Sequence, residues 1–231
     1  MNRILVTGSA GFIGFHLTHL LLKQGHTVLG IDSHNSYYDI NLKISRIKIL
    51  KKFKYYSHRK LDLSNMNKLS KLVELFNPNL IIHLAAQAGV RYSFSNPRAY
   101  IDSNIIGFHN IISLAKEINV KNFVYASSSS VYGDQKKFPI DEENNTSQPN
   151  SLYAATKKSN ELISYTYSKL FNLKTTGLRF FTVYGPWGRP DMSLFKFTKS
   201  ILNKQTIEIY NGGNHTRDFT YIDDITHGIN N

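Results

Sequence analysis

The chain has 231 residues, with 28 Lys and Arg against 16 Asp and Glu for a formal net charge of +12, 41% hydrophobic residues and no cysteine. That apolar content can bury a core and excludes general disorder. The missing thiols exclude a disulfide framework, a thiolate zinc site and a cysteine nucleophile together, as expected of a reducing compartment.

No apolar run approaches the ~20 residues that cross a bilayer, and Gly8 interrupts the first apolar stretch before a signal-peptide core develops. The expectation is a soluble, cytoplasmic chain with no membrane partner. The basic balance invites a nucleic-acid reading. It is set against a general abundance of Lys, Asn and Ile, which raises charge without any function, and an anionic small substrate stays open.

In chain order, Asn2–Thr7 reads as a strand and Phe12–Gln24 as a helix stopped at Gly25. Thr27–Ile31 is a second strand, Asn41–Lys52 a strongly basic helix, Phe53–Ser57 a third strand, and Ser64–Phe76 a helix capped by Ser64. Leu80–Ala85 is a continuous apolar run, as in a strand buried on both faces of a parallel sheet. Pro97–Asn119 follows as one long helix, then strand Asn122–Ala126, helix Leu152–Leu170 and strand Thr175–Phe181. Beyond these come a Gly/Pro loop at 185–190, helix Ser193–Leu202, strand Thr206–Tyr210 and a turn at Asn211–Gly213. Alternation of this kind predicts an α/β fold with a Rossmann-type doubly wound parallel sheet. Asp134–Ser151 is a polar loop long enough to suggest a functional role.

Chemistry concentrates at three places. Thr7-Gly8-Ser9-Ala10-Gly11-Phe12-Ile13-Gly14 sits between the first strand and first helix. Gly8 permits the turn, Gly11 lets backbone N–H groups approach a pyrophosphate at the helix N-terminus, and Gly14 lets the helix sit close on the sheet. Asp32, 18 residues after Gly14, ends the second strand. There it would accept hydrogen bonds from adenosine ribose hydroxyls and disfavour a 2′-phosphate, so NAD is expected over NADP. Tyr153 and Lys157 lie i, i+4 on a predicted helix, where a cation beside a phenol favours the phenolate. Taken alone that pair is an ordinary surface pair; beside a dinucleotide fingerprint it reads as a base. The third place, Ser127–Ser130, puts four hydroxyls at the carboxyl edge of the sheet, with Ser128 a hydrogen-bond partner for a reacting sugar hydroxyl.

T-G-S-A-G-F-I-G, H-L-A-A-Q-A-G-V-R at His83–Arg91, S-S-S-S-V-Y-G, Y-A-A-T-K and R-D-F-T-Y-I-D-D at Arg217–Asp224 together resemble an extended short-chain dehydrogenase/reductase of the NAD-dependent epimerase/dehydratase family. Ala86–Ser93, Leu152–Lys158 and Arg179–Met192 are most similar to UDP-glucuronate 4-epimerases. The resemblance runs over the whole chain.

It implies Tyr153 as the base and Lys157 as the group that lowers its pKa and holds the nicotinamide ribose. Ser128 would bind the reacting O4, with Ser129 also at the substrate. Gly8, Gly11, Phe12, Ile13, Gly14, Asp32, Asp62, Leu84, Ala85 and Asn104 would line the NAD site, and Arg217 would grip a UDP-sugar diphosphate. Similar proteins that dehydrate the sugar carry Asp-Glu where Ser129 and Ser130 stand, and decarboxylating ones carry Glu at Ser130, so simple epimerisation is expected.

Oxidation of a uronic acid at C4 creates a β-keto acid that loses CO₂ when its carboxylate aligns with the carbonyl. Arg189 and Arg91, with Thr182, are suited to fix that carboxylate. The neutral-sugar alternatives are UDP-glucose and UDP-N-acetylglucosamine. Residues 1–181 are expected to form the NAD-binding domain and 182–231 part of a substrate lobe. Proteins of this kind run longer, so that lobe is expected to be cut short, and an inactive NAD-binding fragment is the other alternative. A homodimer on the two long helices is the expected assembly.

Overall fold

The computed structural model describes residues 1–209, 211–214 and 216–231. The first half alternates strictly: β1 (Arg3–Thr7), α1 (Phe12–Lys23), β2 (Thr27–Asp32), α2 (Ile40–Leu50), β3 (Tyr56–Lys60), α3 (Met66–Phe76) and β4 (Leu80–His83). Two short helices, α4 (Tyr92–Ser95) and α5 (Pro97–Tyr100), lead through a π-helical segment (Ile101–Ile106) into α6 (Gly107–Glu117). Then come β5 (Asn122–Ala126), α7 (Leu152–Phe171) and β6 (Thr175–Leu178). A smaller region holds β7 (Thr182–Tyr184), α8 (Ser193–Leu202), β8 (Phe219–Tyr221) and α9 (Ile222–Asn230).

The six main strands pair in parallel in the order β3-β2-β1-β4-β5-β6, the doubly wound order with a switch point between β1 and β4. Both faces are covered. Leu5, Leu29, Ile81 and Phe123 pack with Phe108, Ile111 and Ile112 of α6 on one side. Ile4, Val6, Val28 and Ile82 pack with Phe15, Leu17 and Leu21 of α1 on the other. Burial on both faces is why these strands read as continuous apolar runs. Apart from this sheet, β7 and β8 form a parallel pair in register Thr182↔Phe219.

Several expected elements differ. The third strand runs over Tyr56–Lys60, because Phe53 closes the turn after α2 (Phe53 N donates to Leu50 O, 3.0 Å) and packs on the core beside α1. Asn65 rather than Ser64 caps α3, its side chain accepting from Lys68 N, while the Ser64 hydroxyl donates to Asp62 at 2.8 Å. The long helix expected over Pro97–Asn119 is interrupted by the π-helical segment. The strand expected over Thr175–Phe181 ends at Leu178, and a separate strand, β7, begins at Thr182. Residues 206–209 carry no regular structure, and the last residue of that expected strand, Tyr210, lies outside the described residues. The partner of β7 is Phe219–Tyr221 instead.

Candidate active site

A continuous cleft of about 1960 Å³ opens along the carboxyl edge of the sheet, across the switch point and on to β7, α8 and the segment before β8. At one end lies the N-terminus of α1. Gly11 caps it without a side-chain bond, and no acidic residue stands in the first turn, so the helix end offers bare N–H groups and positive potential to an anion. Gly8 makes the turn at φ +72°, where other residues are strained. A Cβ on Gly14 would stand 2.1 Å from Gly8 O, so only glycine lets the helix close onto the loop.

Asp32 is buried at the end of β2, accepting from Ala10 N at 3.3 Å and His34 N at 2.9 Å. Lys43 of α2 faces it at 3.7 Å and also donates to Asn35 Oδ1 at 2.8 Å. A vicinal diol would meet both an acceptor and a donor there, and Lys43 softens the repulsion that Asp32 alone would offer to a phosphate. Asp62, Leu84 and Ala85 line the same arm, with Ala85 N held by Thr7 Oγ1 at 3.3 Å. These residues fit a dinucleotide: a cradle with no room for a side chain, a bare helix end for the diphosphate, and a carboxylate at the far wall.

Asn104 does not line this arm as expected. It is buried in the π-helical segment, where its amide is consumed by Gln87 N (2.8 Å), Gln87 O (3.1 Å) and Thr156 Oγ1 (3.1 Å). It therefore brackets the loop after β4 to α7, which carries Tyr153 and Lys157.

In the middle of the cleft stand Tyr153, Lys157 and Ser128. Burial pushes the Tyr153 phenol up, and the Ser128 hydrogen bond and the Arg189 charge pull against it. The Lys157 ammonium, 2% exposed, donates to Ala126 O at 2.7 Å, and burial draws it down to about 8. The lysine is thus anchored to the end of β5, and Ser128 and Arg189 are the groups that ease ionisation of the phenol. The serine-rich strand end is pinned in turn: Ser127 Oγ donates to Glu161 at 2.6 Å, and Arg179 grips Glu161 through Nε at 2.9 Å. Ser129 N donates to Phe180 O at 2.9 Å, and Ser128 Oγ accepts from Ser130 N at 3.2 Å.

Arg189, Thr182, Arg91 and Arg217 all reach the cleft wall. The bidentate face of Arg189 is occupied by Asp191 (Nε to Oδ1, 3.0 Å), and Tyr37 OH donates to the same carboxylate at 3.2 Å. Arg91 is exposed at the mouth, and exposed Arg217 donates to Thr216 O at 2.8 Å. Sequence reading missed Lys43, Tyr37 and Asp191. Lys43 was hidden in a helix that reads as surface charge, although its place three residues after Ile40 and four before Ile47 puts it on the helix's inner face. Among the described residues, no cluster of three or more His, Asp or Glu could hold a metal ion, and no helix is long and apolar enough to cross a membrane.

Residues 4–230 match the model of the NAD dependent epimerase/dehydratase family. Protein CapI of Staphylococcus aureus is 58% identical over 227 residues, covering 98% of this chain and 68% of its own length. A probable UDP-glucuronate 4-epimerase of Rhizobium meliloti is 50% identical, covering 98% of this chain and 67% of its own. The crystal structure of UDP-glucuronic acid 4-epimerase from Bacillus cereus with UDP-glucuronic acid and NAD superposes with a TM-score of 0.92 at 38% identity, over 98% of this chain and 71% of that one.

Proposed function

The chain belongs to the NAD dependent epimerase/dehydratase family, and from that premise we propose that it interconverts UDP-glucuronate and UDP-galacturonate at C4, supplying a precursor of surface polysaccharide. The observation that carries this reading is the Tyr153 phenol set between Ser128 and Arg189, in the same cleft as the bare N-terminus of α1. Gly8, Gly11, Phe12, Ile13, Gly14, Asp32 and Asp62 would hold NAD, whose contribution is to accept and return a hydride at C4.

Everything else is asked of the side chains. Tyr153 takes the O4 proton and gives it back, and Ser128 holds that oxygen in line. Lys157, fixed by Ala126 O, would hold the nicotinamide ribose. Ser129 and Ser130 carry no acid to expel water from C5–C6, so the reaction ends at epimerisation. Arg189, steered by Asp191 and Tyr37, turns its remaining edge to the sugar carboxylate. Thr182 and Arg91 flank it, and Arg217 meets the diphosphate. In this reading residues 1–181 hold the cofactor and 182–231 form part of the substrate wall. The protein works in the cytoplasm, as a homodimer through α6 and α7, with Leu162, Tyr165 and Leu170 exposed on α7.

The test is incubation of the purified protein with UDP-glucuronate, UDP-glucose and UDP-N-acetylglucosamine side by side, with chromatographic separation of the C4 epimers. Conversion of the acidic sugar alone, lost in Arg189→Ala, supports the reading. Unchanged UDP-glucuronate with NAD bound overturns it.

A further inference from the structure

Arg46 of α2 is 0% exposed; its hydrogen-bond partners among the described residues are neutral oxygens, and its guanidinium lies 5.8 Å from the centre of the Tyr38 ring. One terminal nitrogen donates to Ala10 O (2.9 Å) in the glycine-rich loop and to Tyr38 OH (2.9 Å). The other donates to the carbonyls of Trp187 and, at 3.3 Å, Gly188. Its Nε has no partner among the described residues. A buried guanidinium satisfied by carbonyls, with one donor left over, is a costly arrangement. What it achieves is a bridge between two backbone segments 177 residues apart in the chain, one cradling the cofactor and the other leading directly into Arg189.

A second strap lies beside it. His16 of α1 bonds Pro186 O at 2.9 Å, and the Trp187 ring packs on Phe15 with centroids 5.8 Å apart. Three successive carbonyls, of Pro186, Trp187 and Gly188, are therefore held from the cofactor side. Trp187 itself sits at φ +58°, a conformation an indole-bearing residue adopts only when its surroundings impose it. Neither Arg46 nor Ala10 reaches the cleft, so whatever Arg46 does for the reaction it does through others.

We infer that Arg46 is a positioning residue that couples the glycine-rich cofactor loop to the 185–189 loop, so that filling the cofactor cradle fixes Arg189 over the sugar. Because Arg46 grips both loops by main-chain oxygens, any tightening of Ala10 is passed to Trp187 and Gly188 and then to the next residue. The consequence for Arg189 rests on the reading of the site as a uronate epimerase; the coupling between the two loops does not. A loosened Arg189 frees the carboxylate of the 4-keto sugar to swing into line with the carbonyl. The C5–C6 bond then breaks, its electron pair moves into the C4 carbonyl to give an enolate, CO₂ departs, and a proton adds at C5. The hydride removed from C4 is left behind as reduced nicotinamide.

Trp187 is the sole tryptophan of the chain, so its fluorescence reports on this loop without any turnover. The experiment measures acrylamide quenching of the wild type, Arg46→Lys and His16→Phe, each with and without NAD. The lysine can reach one of the two loops but not both; the phenylalanine keeps ring packing and removes the Pro186 bond. NAD should lower the quenching slope of the wild type, as ordering of the loop shields its indole. It should leave Arg46→Lys unchanged and give His16→Phe an intermediate response. An NAD response equal to wild type in Arg46→Lys overturns the coupling. If that variant does not fold, a wild-type quenching slope that NAD leaves unchanged overturns it instead.

Turnover of UDP-glucuronate then separates the two readings. KM in Arg46→Lys should rise about tenfold with little change in kcat, and CO₂ release per turnover should rise several-fold, as misplacement of a binding group predicts. A wild type that binds NAD, shows the quenching response and makes no UDP-galacturonate defeats the functional reading alone.

Discussion

The two walls of the cleft are built on different principles. On the cofactor side the contacts are main chain to main chain: Gly8 N donates to Ile31 O at 2.7 Å, Leu84 N to Thr7 O at 3.1 Å, and α1 buries Phe15, Leu17, Leu21 and Leu22 beneath them. On the substrate side, α8 buries none of its residues; Leu194 is 51%, Ile201 62% and Leu202 78% exposed. Function there hangs on long side chains such as Arg189, held by a handful of polar bonds. Changes on the first wall should act by steric force on the backbone. Changes on the second should act through the chemistry of single side chains, with little effect on the fold.

The largest effect falls where the walls meet. Tyr153→Phe keeps the ring and removes the hydroxyl that Ser128 faces, so kcat should fall by about 10²–10⁴-fold, the usual contribution of a general base. NAD retention and thermal unfolding should stay at wild-type values, because no cofactor-wall contact is touched. Full activity in this variant would remove the phenol from the mechanism.

Gly14→Ala tests the cofactor wall directly. The new methyl would meet backbone, Gly8 O at 2.1 Å and Gly8 C at 2.8 Å, which cannot rotate away. Overpacking of this kind costs about 1–3 kcal/mol, and the displaced helix end should also lose NAD. A lower unfolding temperature with undiminished NAD affinity would mean that the cradle tolerates a shifted α1.

Much of the first wall was legible in the sequence because burial on both faces leaves a continuous apolar run and the glycines sit where the turn needs them. β1, β2, β4 and β5 follow from this. Less legible were features set by long-range partners. Lys43 and Arg46 look like two more cations on a basic helix, yet both are buried, and nothing local announces that Asp32 and Trp187 await them. Asn104, which the family resemblance places at the NAD site, makes its three side-chain hydrogen bonds to Gln87 and Thr156, partners far from it in the chain. On the second wall, Thr206–Ile209 has strand-like residues and no strand beside it, while Phe219–Tyr221, shorter and following a polar stretch, found β7.

Lys157 gives the comparison a pH axis. Burial holds its folded-state pKa near 8, against 10.5 for an ordinary lysine. Below pH 8 both folded and unfolded chains carry the proton, and the folded chain bears the full cost of a buried ammonium. Between 8 and 10.5 the folded chain sheds that proton first, so the unfolded state binds more protons and stability rises with pH. Lys157→Met should therefore stabilise the ligand-free chain by on the order of 1–2 kcal/mol at neutral pH, after the loss of the Ala126 bond is set against it. The advantage should shrink steadily between pH 8 and 10.5. A pH-independent difference in unfolding temperature would show that the ammonium is already relieved of its burial cost.

The smallest effect is the counterpart of Gly14 on α9, which packs against α1 through Ile225 and Ile229. Gly228 lies within α9, exposed, and a Cβ built on it meets nothing within 4 Å. Here glycine only adds freedom to the unfolded chain, so Gly228→Ala should raise stability by about 0.4–1 kcal/mol and leave NAD affinity alone. The same substitution chemistry then gives opposite signs at two helices, and the difference is the presence of a backbone oxygen 2.1 Å away in one case and open space in the other. Loss of stability in Gly228→Ala, measured by thermal unfolding beside Gly14→Ala, would mean that α9 is packed against something along its exposed face.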